Sequence, residues 1–266
     1  MSKNPLVSVI MGVFNGEKHL REAIKSILNQ TFKDFEFVII NDCSKDKTSE
    51  ILRKYNQEDE RIKIVNNHKN IGLTKSLNKA LKITRGKYIA RMDADDISYP
   101  ERLEKQIDFL SNNLLYGLIG TWGHKIDKGG NVIGELKFLT KNENIRKALI
   151  KYNPFIHSSI MLRSEVFKKV GPYNKEWRFA QDYELFFRII KYYKVANIPE
   201  ILMAHRWGKS VVSYQKNKEQ TLLAIRARKK VIKEGLYKKT AYIYLIRPYL
   251  AYILPKFVKY PLLRKK

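Results

Sequence analysis

The apolar positions in the first part of the chain switch repeatedly between two periods. Leu6–Met11 is a β-rich run that stops at Gly12, after which Leu20, Ala23, Ile24, Ile27 and Leu28 recur at helical spacing. Phe35–Ile40 is a second strand-like run, ending at Asn41-Asp42-Cys43-Ser44, and Ile51, Leu52 and Tyr55 mark a second helix. Ile62–Val65 follows as a third run. Leu73, Ser76, Leu77, Ala80 and Leu81 then mark a third helix, closed by Gly86, and Tyr88–Met92 is the fourth run. Strand and helix alternating four times in about 90 residues predict an α/β fold with a mostly parallel central sheet covered by helices.

The pattern changes after Pro100. One amphipathic helix carries Leu103, Ile107 and Leu110. Gly117–Trp122 and Val132–Phe138 flank the turn-rich Asp127-Lys128-Gly129-Gly130-Asn131, which predicts a hairpin or small antiparallel extension. Ser159–Leu162 reads as a short strand, and Ser164 as the cap of a brief helix ending at Gly171. Asp182 to about Lys191 is a helix that buries Leu185, Phe186, Ile189 and Ile190, and beyond Tyr214 the chain reads as helical to its end. The expected organisation is a domain over 1–214, with halves of about 1–98 and 99–214, and a basic, aromatic-rich tail over 215–266.

Composition adds one strong constraint. Against 26 acids stand 52 Lys plus Arg, a formal charge of +26, which points to nucleic acid, an anionic membrane surface or phosphorylated small molecules. A lysine-rich compositional bias accounts for part of it. The single cysteine, Cys43, excludes a disulfide framework and a cysteine-based zinc site. Met1 runs into the first strand without a charged-then-apolar leader, so the expected location is the cytoplasm.

The chemistry concentrates where the predicted strands end. Asp93-Ala94-Asp95-Asp96 follows the fourth run directly, and three carboxylates with no basic residue between them repel one another and lose hydration together. A hard divalent cation would offset this; a solvated acidic turn capping the helix near Pro100 is the other reading. Asp42 ends the second run, and Gly12-Val13-Phe14-Asn15-Gly16-Glu17 ends the first. These parts suit a base and ribose held between an aromatic face and an acid, with a diphosphate on a metal. No G-x-G-x-x-G follows the first strand and no phosphate-loop Lys-Ser/Thr is present, which excludes a Rossmann dinucleotide site.

With Val7–Asn15, Ser26–Phe32, Ile39–Asp46, Asn70–Leu73, Asp93–Asp96 and Ala180–Leu185 in this order and spacing, the chain resembles the family 2 glycosyltransferases over about residues 6–214. These are inverting enzymes with the GT-A nucleotide-sugar-binding fold. The resemblance implies a nucleotide-sugar site at Val13, Phe14, Asn15, Glu17, Asp42, Lys75 and Asp93. Phe14 would pack on the base, Asp42 would recognise it, and Lys75 would reach the diphosphate. Each has a plainer role open to it: a core Phe, a helix cap near Lys47, a solvated lysine. A divalent metal, Mn²⁺ or Mg²⁺, would be held by Asp95 with Asp93 and His205. Asp182 matches the catalytic base, which takes the proton of an attacking sugar hydroxyl, although it also opens a helix and suits a cap. His157, Trp177 and Gln181 are placed at the acceptor.

The sequence also departs from the family's usual residues. Gly12 replaces a frequent proline, Asn41 the first acid, Cys43 a small glycine, and Gln181 a common glutamate. Asn41 and Cys43 lie beside the base pocket, which weakens the expectation of uridine. The expected reaction is transfer of a sugar from a nucleoside diphosphate sugar, UDP-linked, to a hydroxyl of a glycan or polyprenyl-diphosphate-linked acceptor in surface polysaccharide synthesis. A sugar nucleotidyltransferase, or a non-catalytic membrane-surface or RNA-binding protein on the same scaffold, is the alternative. From Ile225 onward thirteen Lys plus Arg accompany one acid, Glu234, with tyrosines interleaved. That tail fits the anionic inner face of the cell membrane as a peripheral anchor, or an appendage packed on the domain. Nucleic acid is not expected, because no recognition motif accompanies the charge.

Overall fold

The computed structural model describes residues 4–207 and 217–253. Its first half is built from strands β1 (Val7–Val13), β2 (Phe35–Asn41), β3 (Ile62–Asn66) and β4 (Tyr88–Arg91), separated by helices α1 (Leu20–Leu28), α2 (Thr48–Glu58) and α3 (Leu73–Ile83). The second half contains β5 (Ile97–Ser98), α4 (Arg102–Asn112), β6 (Tyr116–Ile126), β7 (Val132–Leu136), α5 (Asn142–Leu149), a 3-10 turn over His157–Ser159, β8 (Met161–Arg163), α6 (Ser164–Val170), α7 (Gln181–Ile189) and β9 (Lys194–Arg206). Helix α8 (Asn217–Lys233), a 3-10 segment (Lys239–Leu245) and α9 (Ile246–Ile253) complete the described chain.

Among the described residues the strands form one nine-stranded sheet in the order β3-β2-β1-β4-β8-β6-β9-β5, with β7 paired to β6. β1 pairs in parallel with β2, from Val7↔Phe35 to Val13↔Asn41, and with β4, from Val7↔Tyr88 to Ile10↔Arg91. Side chains alternate across each strand. Val9, Met11, Phe37, Ile39, Ala90 and Met92 pack on one face with α1, α2 and α4. Ile10, Val38, Ile40 and Ile89 pack on the other with Leu77 of α3, Phe186 of α7, and Ala227, Val231 and Ile232 of α8. Each fully buried aliphatic side chain contributes about 1.5–3 kcal/mol. Burial on both faces is why these strands read as near-continuous apolar runs.

Several expectations change in detail. The hairpin is β6 with β7, and β6 is the longer partner. Ser164 is the first helical residue of α6 rather than its cap, which is Arg163. Asp42 does not cap α2, whose cap is Lys47; Asp46, one residue earlier, accepts from the Thr48 amide at 3.0 Å. Asp182 is the second residue of α7, whose cap is Ala180 in the left-handed region at φ 54°. The helical reading beyond Tyr214 falls partly outside the described residues. Where it is described, α8 buries Ile225, Ala227, Val231 and Ile232, so the domain's core takes in part of the segment that charge alone sets apart.

Candidate active site

Parallel strands deliver their carboxyl ends to one edge of a sheet, and there the loops after β1, β2 and β4 meet. The first two are laced together. The Asn15 amide donates to Ser44 Oγ (3.0 Å) and the Lys45 amide to Asn15 Oδ1 (2.9 Å). The Gly16 amide reaches Thr48 Oγ1 at 2.8 Å, the Glu17 amide reaches Asp46 Oδ2 at 3.0 Å, and the Lys47 amide returns to Glu17 Oε2 at 3.1 Å. Asn15 and Cys43 both take positive φ to permit this, at 51° and 62°. Phe14, at the tip, is left 47% exposed, so it is not a core Phe. Val13 is buried, and its carbonyl accepts from the Asp42 amide at 2.8 Å.

Asp42 is itself buried. Its Oδ1 accepts from Asn67 Nδ2 (2.8 Å) and the Ile71 amide (2.9 Å), and its Oδ2 from the Gly72 amide (2.8 Å). Gly72 lies at φ 87°, a conformation that glycine adopts without strain. Asp42 therefore organises the loop that launches α3, and Lys75 stands exposed on the first turn of that helix.

The three acids after β4 have three different fates. Burial works against ionising Asp93, but Arg91 outweighs it: Nη1 lies 2.5 Å from Asp93 Oδ1 and holds that carboxyl below its ordinary range. Asp96, fully inside, accepts from the Arg206 amide (2.8 Å), from Ser158 Oγ, and from His205 Nδ1 at 3.0 Å. Burial alone would strip the proton from His205; Asp96, with Asp93 and Asp95 behind it, instead raises it to about 9. The Arg206 side chain pins the whole turn, donating to the Asp95 carbonyl (2.7 Å), the Asp127 carbonyl (2.9 Å) and Glu22 Oε2 (2.6 Å).

Asp95 alone has a carboxylate with no hydrogen bond or ion pair among the described residues. Burial first, then Asp96 and Asp93, push it up to about 7. A carboxylate in that position is short of a cation, and an all-oxygen donor set suits Mg²⁺ or Mn²⁺. The expected three-ligand set is not assembled, however. Among the described residues no three His, Cys, Asp or Glu side chains converge on a metal position. Asp93 is engaged with Arg91, and His205 turns Nδ1 to Asp96. Of the three expected ligands, Asp95 is the one whose carboxylate is uncommitted, and His205 is oriented by Asp96.

The start of α7 carries Asp182. Asp182 is partly exposed and accepts from Asn153 Nδ2 at 2.9 Å. Burial raises its pKa; the amides of Asp182 and Tyr183, then Arg91 and Asn153, pull it part of the way back. His157 is half-buried with Nε2 2.9 Å from the Tyr173 hydroxyl, and burial, then Arg91, hold it well below the ordinary histidine value. Trp177 departs from expectation. It is 2% exposed, belongs to the core, and its carbonyl accepts from Thr74 Oγ1 at 2.7 Å, so its ring does not line an acceptor pocket. Gln181 is buried as well.

Arg91 went unnoticed in the sequence, where it sits inside an otherwise apolar strand. Its signal is its place at the end of β4, two residues before Asp93.

Comparison with known proteins identifies the family. Residues 8–171 match the profile described as glycosyl transferase family 2. An uncharacterised glycosyltransferase of Methanocaldococcus jannaschii is 43% identical over 206 residues, 76% of this chain and 71% of its own. The Escherichia coli O-antigen biosynthesis glycosyltransferase WbnJ is 38% identical over 189 residues, 70% of this chain and 72% of its own. Among solved structures, S. aureus TarS 1–349 in complex with UDP superposes with a TM-score of 0.69 at 19% identity, covering 98% of this chain and 75% of that one. Mannosyltransferase PcManGT from Pyrobaculum calidifontis, in complex with GDP-Man and Mn²⁺, does so with 0.68 at 16%, covering 98% and 73%. The two structural likenesses establish the GT-A fold. The family profile and the relatives go further: this chain belongs to glycosyl transferase family 2, and it is a glycosyltransferase.

Proposed function

We propose that this enzyme transfers a sugar, with inversion, from a UDP-linked donor to a hydroxyl of a glycan or lipid-linked acceptor in surface polysaccharide synthesis. The observation that carries the reading is the pairing of Asp182 with the acids after β4. Asp182 is partly exposed and held by Asn153, and Asp95 keeps a carboxylate with no hydrogen bond or ion pair among the described residues.

The acceptor oxygen attacks the anomeric carbon while its proton passes to Asp182. The bond from that carbon to the diphosphate breaks, and its electron pair leaves on the nucleoside diphosphate. One displacement inverts the carbon. Phe14 offers its exposed face to the base, the laced loops and Asp93 hold the nucleoside, and Lys75 lies near the diphosphate. A divalent cation held through Asp95 would neutralise charge on the leaving diphosphate. His157, half-buried beside Tyr173, is the residue we assign to the acceptor side, whereas the buried Gln181 supports α7 from within.

The neighbours solved with UDP, UDP-GlcNAc and GDP-Man support a nucleotide-sugar donor. The O-antigen relative supports a surface polysaccharide. We place the enzyme in the cytoplasm, peripheral at the inner membrane face, on the strength of its basic, aromatic tail. The test is a thermal-shift panel of UDP- and GDP-sugars with and without Mn²⁺ or Mg²⁺. UDP-sugars are expected to stabilise the protein only with metal, and Asp95→Ala to abolish that dependence while leaving the unliganded melt intact. Equal stabilisation of wild type and variant would remove the metal assignment.

A further inference from the structure

β8 runs antiparallel to both β4 and β6, and β9 runs parallel to β6, so β4, β6 and β9 share one direction. The first residues of β6 and β9, Tyr116 and Lys194, therefore lie at the sheet edge remote from the loops after β1, β2 and β4. There the α4–β6 connection, α5 and the turn after α7 surround an open cavity of about 280 Å³. Helix α7 carries Asp182 at its start, and its nine residues span about 13 Å, so the cavity sits at the far end of that helix from the candidate base. Arg146, Lys191 and Lys194 line the cavity together with Leu115, Tyr192 and Tyr193, and no carboxylate does. Its volume falls just short of the about 300–1,000 Å³ of pockets that enclose whole small molecules, and suits a smaller anionic group.

The walls are fixed by backbone, and the cations on them are not all committed. The Lys194 amide donates to the Leu115 carbonyl at 3.0 Å, and the Tyr192 and Tyr193 amides both donate to the Ile189 carbonyl at 3.0 Å. Tyr193 packs against Gly117, where a Cβ would come within 2.6 Å of its ring. Arg146 gives Nη1 to the Ile190 carbonyl, and its Nε and Nη2 make no hydrogen bond among the described residues. Lys191 pairs with Glu234 at 2.6 Å. Lys194 makes no ion pair or side-chain hydrogen bond among the described residues, and the acid that feels its charge, Glu143 of α5, is itself exposed. Three cations on one concave wall repel one another, and an anion between them removes that cost. The rim has a second property. Leu115 is 67% and Tyr192 59% exposed, and Leu114, next to Leu115, is 75% exposed. A free phosphate has no use for apolar side chains beside its site, whereas a phosphate carried on a lipid meets both. The lining also touches the start of the tail, through Glu234 on Lys191 and the Tyr237 hydroxyl on the Arg146 carbonyl.

We propose that this cavity is a second anion site, separate from the nucleotide-sugar site, which takes the phosphate of an anionic phospholipid while Leu114, Leu115 and Tyr192 enter the leaflet beside it. Arg146 offers its unbonded Nε and Nη2 to the phosphate oxygens, a planar fork suited to that group, and Lys194 adds a mobile point charge. The inference rests on the peripheral membrane placement above and gives it a contact independent of the tail.

The test measures, by sedimentation, how the full-length protein partitions onto phosphatidylcholine vesicles with and without phosphatidylglycerol. Wild type is compared with Lys194→Glu and Leu115→Ser. The control for net charge is Arg53→Glu, an exposed position on α2, which packs on β3 at the other end of the strand order. Melting temperature reports the fold, and its response to inorganic phosphate at constant ionic strength reports binding of a free anion. Lys194→Glu should lower the partition onto phosphatidylglycerol vesicles by about fivefold or more, the effect of a basic residue near the surface, and Leu115→Ser should lower it by a smaller factor. Arg53→Glu should stay within about twofold of wild type, since charge is screened over about 10 Å. All three should melt as wild type does. If Lys194→Glu does not fold, Lys194→Gln with Arg53→Gln as its control stands in its place. No loss in Lys194→Glu, or an equal loss in Arg53→Glu, reduces the attraction to net charge and overturns the site. A Lys194→Glu protein that sediments like wild type but loses the melting response to inorganic phosphate makes the occupant a free phosphate and overturns the lipid assignment. A wild type that does not sediment with phosphatidylglycerol vesicles overturns the membrane placement itself, and this inference with it.

Discussion

Asp182 is held at its post by Asn153 and by the amides that open α7, and the residue remains partly exposed. That combination suits a base, which needs a fixed direction and an accessible oxygen. Its neighbour Glu184 has the same chemistry but not the same freedom, being buried and ion-paired to Arg188 at 3.0 Å. Asp182→Asn preserves shape and cannot take a proton, so kcat should fall by about 10²-fold or more. Donor affinity, measured by calorimetry with the unhydrolysed sugar nucleotide, should hardly change. Because burial raises its pKa, wild-type turnover should fail in acid at a pH above an ordinary aspartate's 3.8. A variant with near-normal turnover moves the base elsewhere. Asp95 and Asp182 were both legible in the sequence, since polar side chains where a strand ends or a helix begins stand out against apolar runs. Arg91 was not legible, because one charged residue in a strand looks like noise until the fold shows what lies above it. Trp177 failed in the opposite direction: an aromatic near a catalytic motif looks like a pocket wall, and only packing reveals that it is core.

At the scale of elements, the sheet is fastened at the end remote from the site by a buried glutamate. Glu36 of β2 accepts from Ser8 Oγ of β1 (2.6 Å), Lys63 Nζ of β3 (2.7 Å) and the Arg85 amide (2.7 Å). The Gly86 amide closes the network on Ser8 Oγ at 2.8 Å, and a Cβ on Gly86 would lie 2.4 Å from the Ser8 nitrogen. Burial opposes its charge, but Lys63, Ser8 and the amide outweigh that and hold Glu36 below a glutamate's ordinary 4.5. A depressed carboxyl stabilises the fold above its unfolded pKa, and the contribution is lost as pH falls through the folded value. Glu36→Gln should therefore lower stability near neutrality by about 1–3 kcal/mol in urea titrations and flatten its decline in acid. Equal acid sensitivity in the variant assigns the decline to other groups. The strands joined here were all readable from their apolar runs. β9 was not: its thirteen residues include Pro199 and Glu200, its register against β6 shifts, and burial on both faces leaves no alternation to detect. Helix α5 is short, and its buried stripe of Asn142, Ile145, Ala148 and Leu149 opens on a polar residue and spans only two turns, too little to stand out in the sequence.

For the molecule as a whole, the excess of positive charge and the last described helices belong together. The tail is less separate than its composition implies. Leu236 and Tyr237 pack on the core, the Tyr237 hydroxyl donates to the Arg146 carbonyl at 2.6 Å, and Ala241 and Leu245 are buried. Between and after these buried residues other apolar side chains face outward, with Ile243 63%, Ile246 56% and Ile253 70% exposed, and Leu250 also exposed. Lys229, Lys233, Lys238 and Lys239 stand exposed nearby. No helix among the described residues is long and apolar enough to cross a membrane. An exposed apolar row flanked by lysines suits the surface of an anionic leaflet, at about 1 kcal/mol per basic residue near the surface. A cut after Gly235 would strip Leu236, Tyr237, Ala241 and Leu245 from the core, so it would confuse binding with folding. Replacing Ile243, Ile246 and Ile253 by Ser leaves those contacts in place. The triple variant should keep the wild-type melting temperature and nucleotide response while losing sedimentation with vesicles that contain phosphatidylglycerol. Wild-type binding should weaken as salt rises, because charge is screened over about 10 Å at 0.1 M. Undiminished sedimentation of the triple variant, or wild-type binding to neutral vesicles that salt does not change, would sink the membrane reading and leave the exposed row to some other partner.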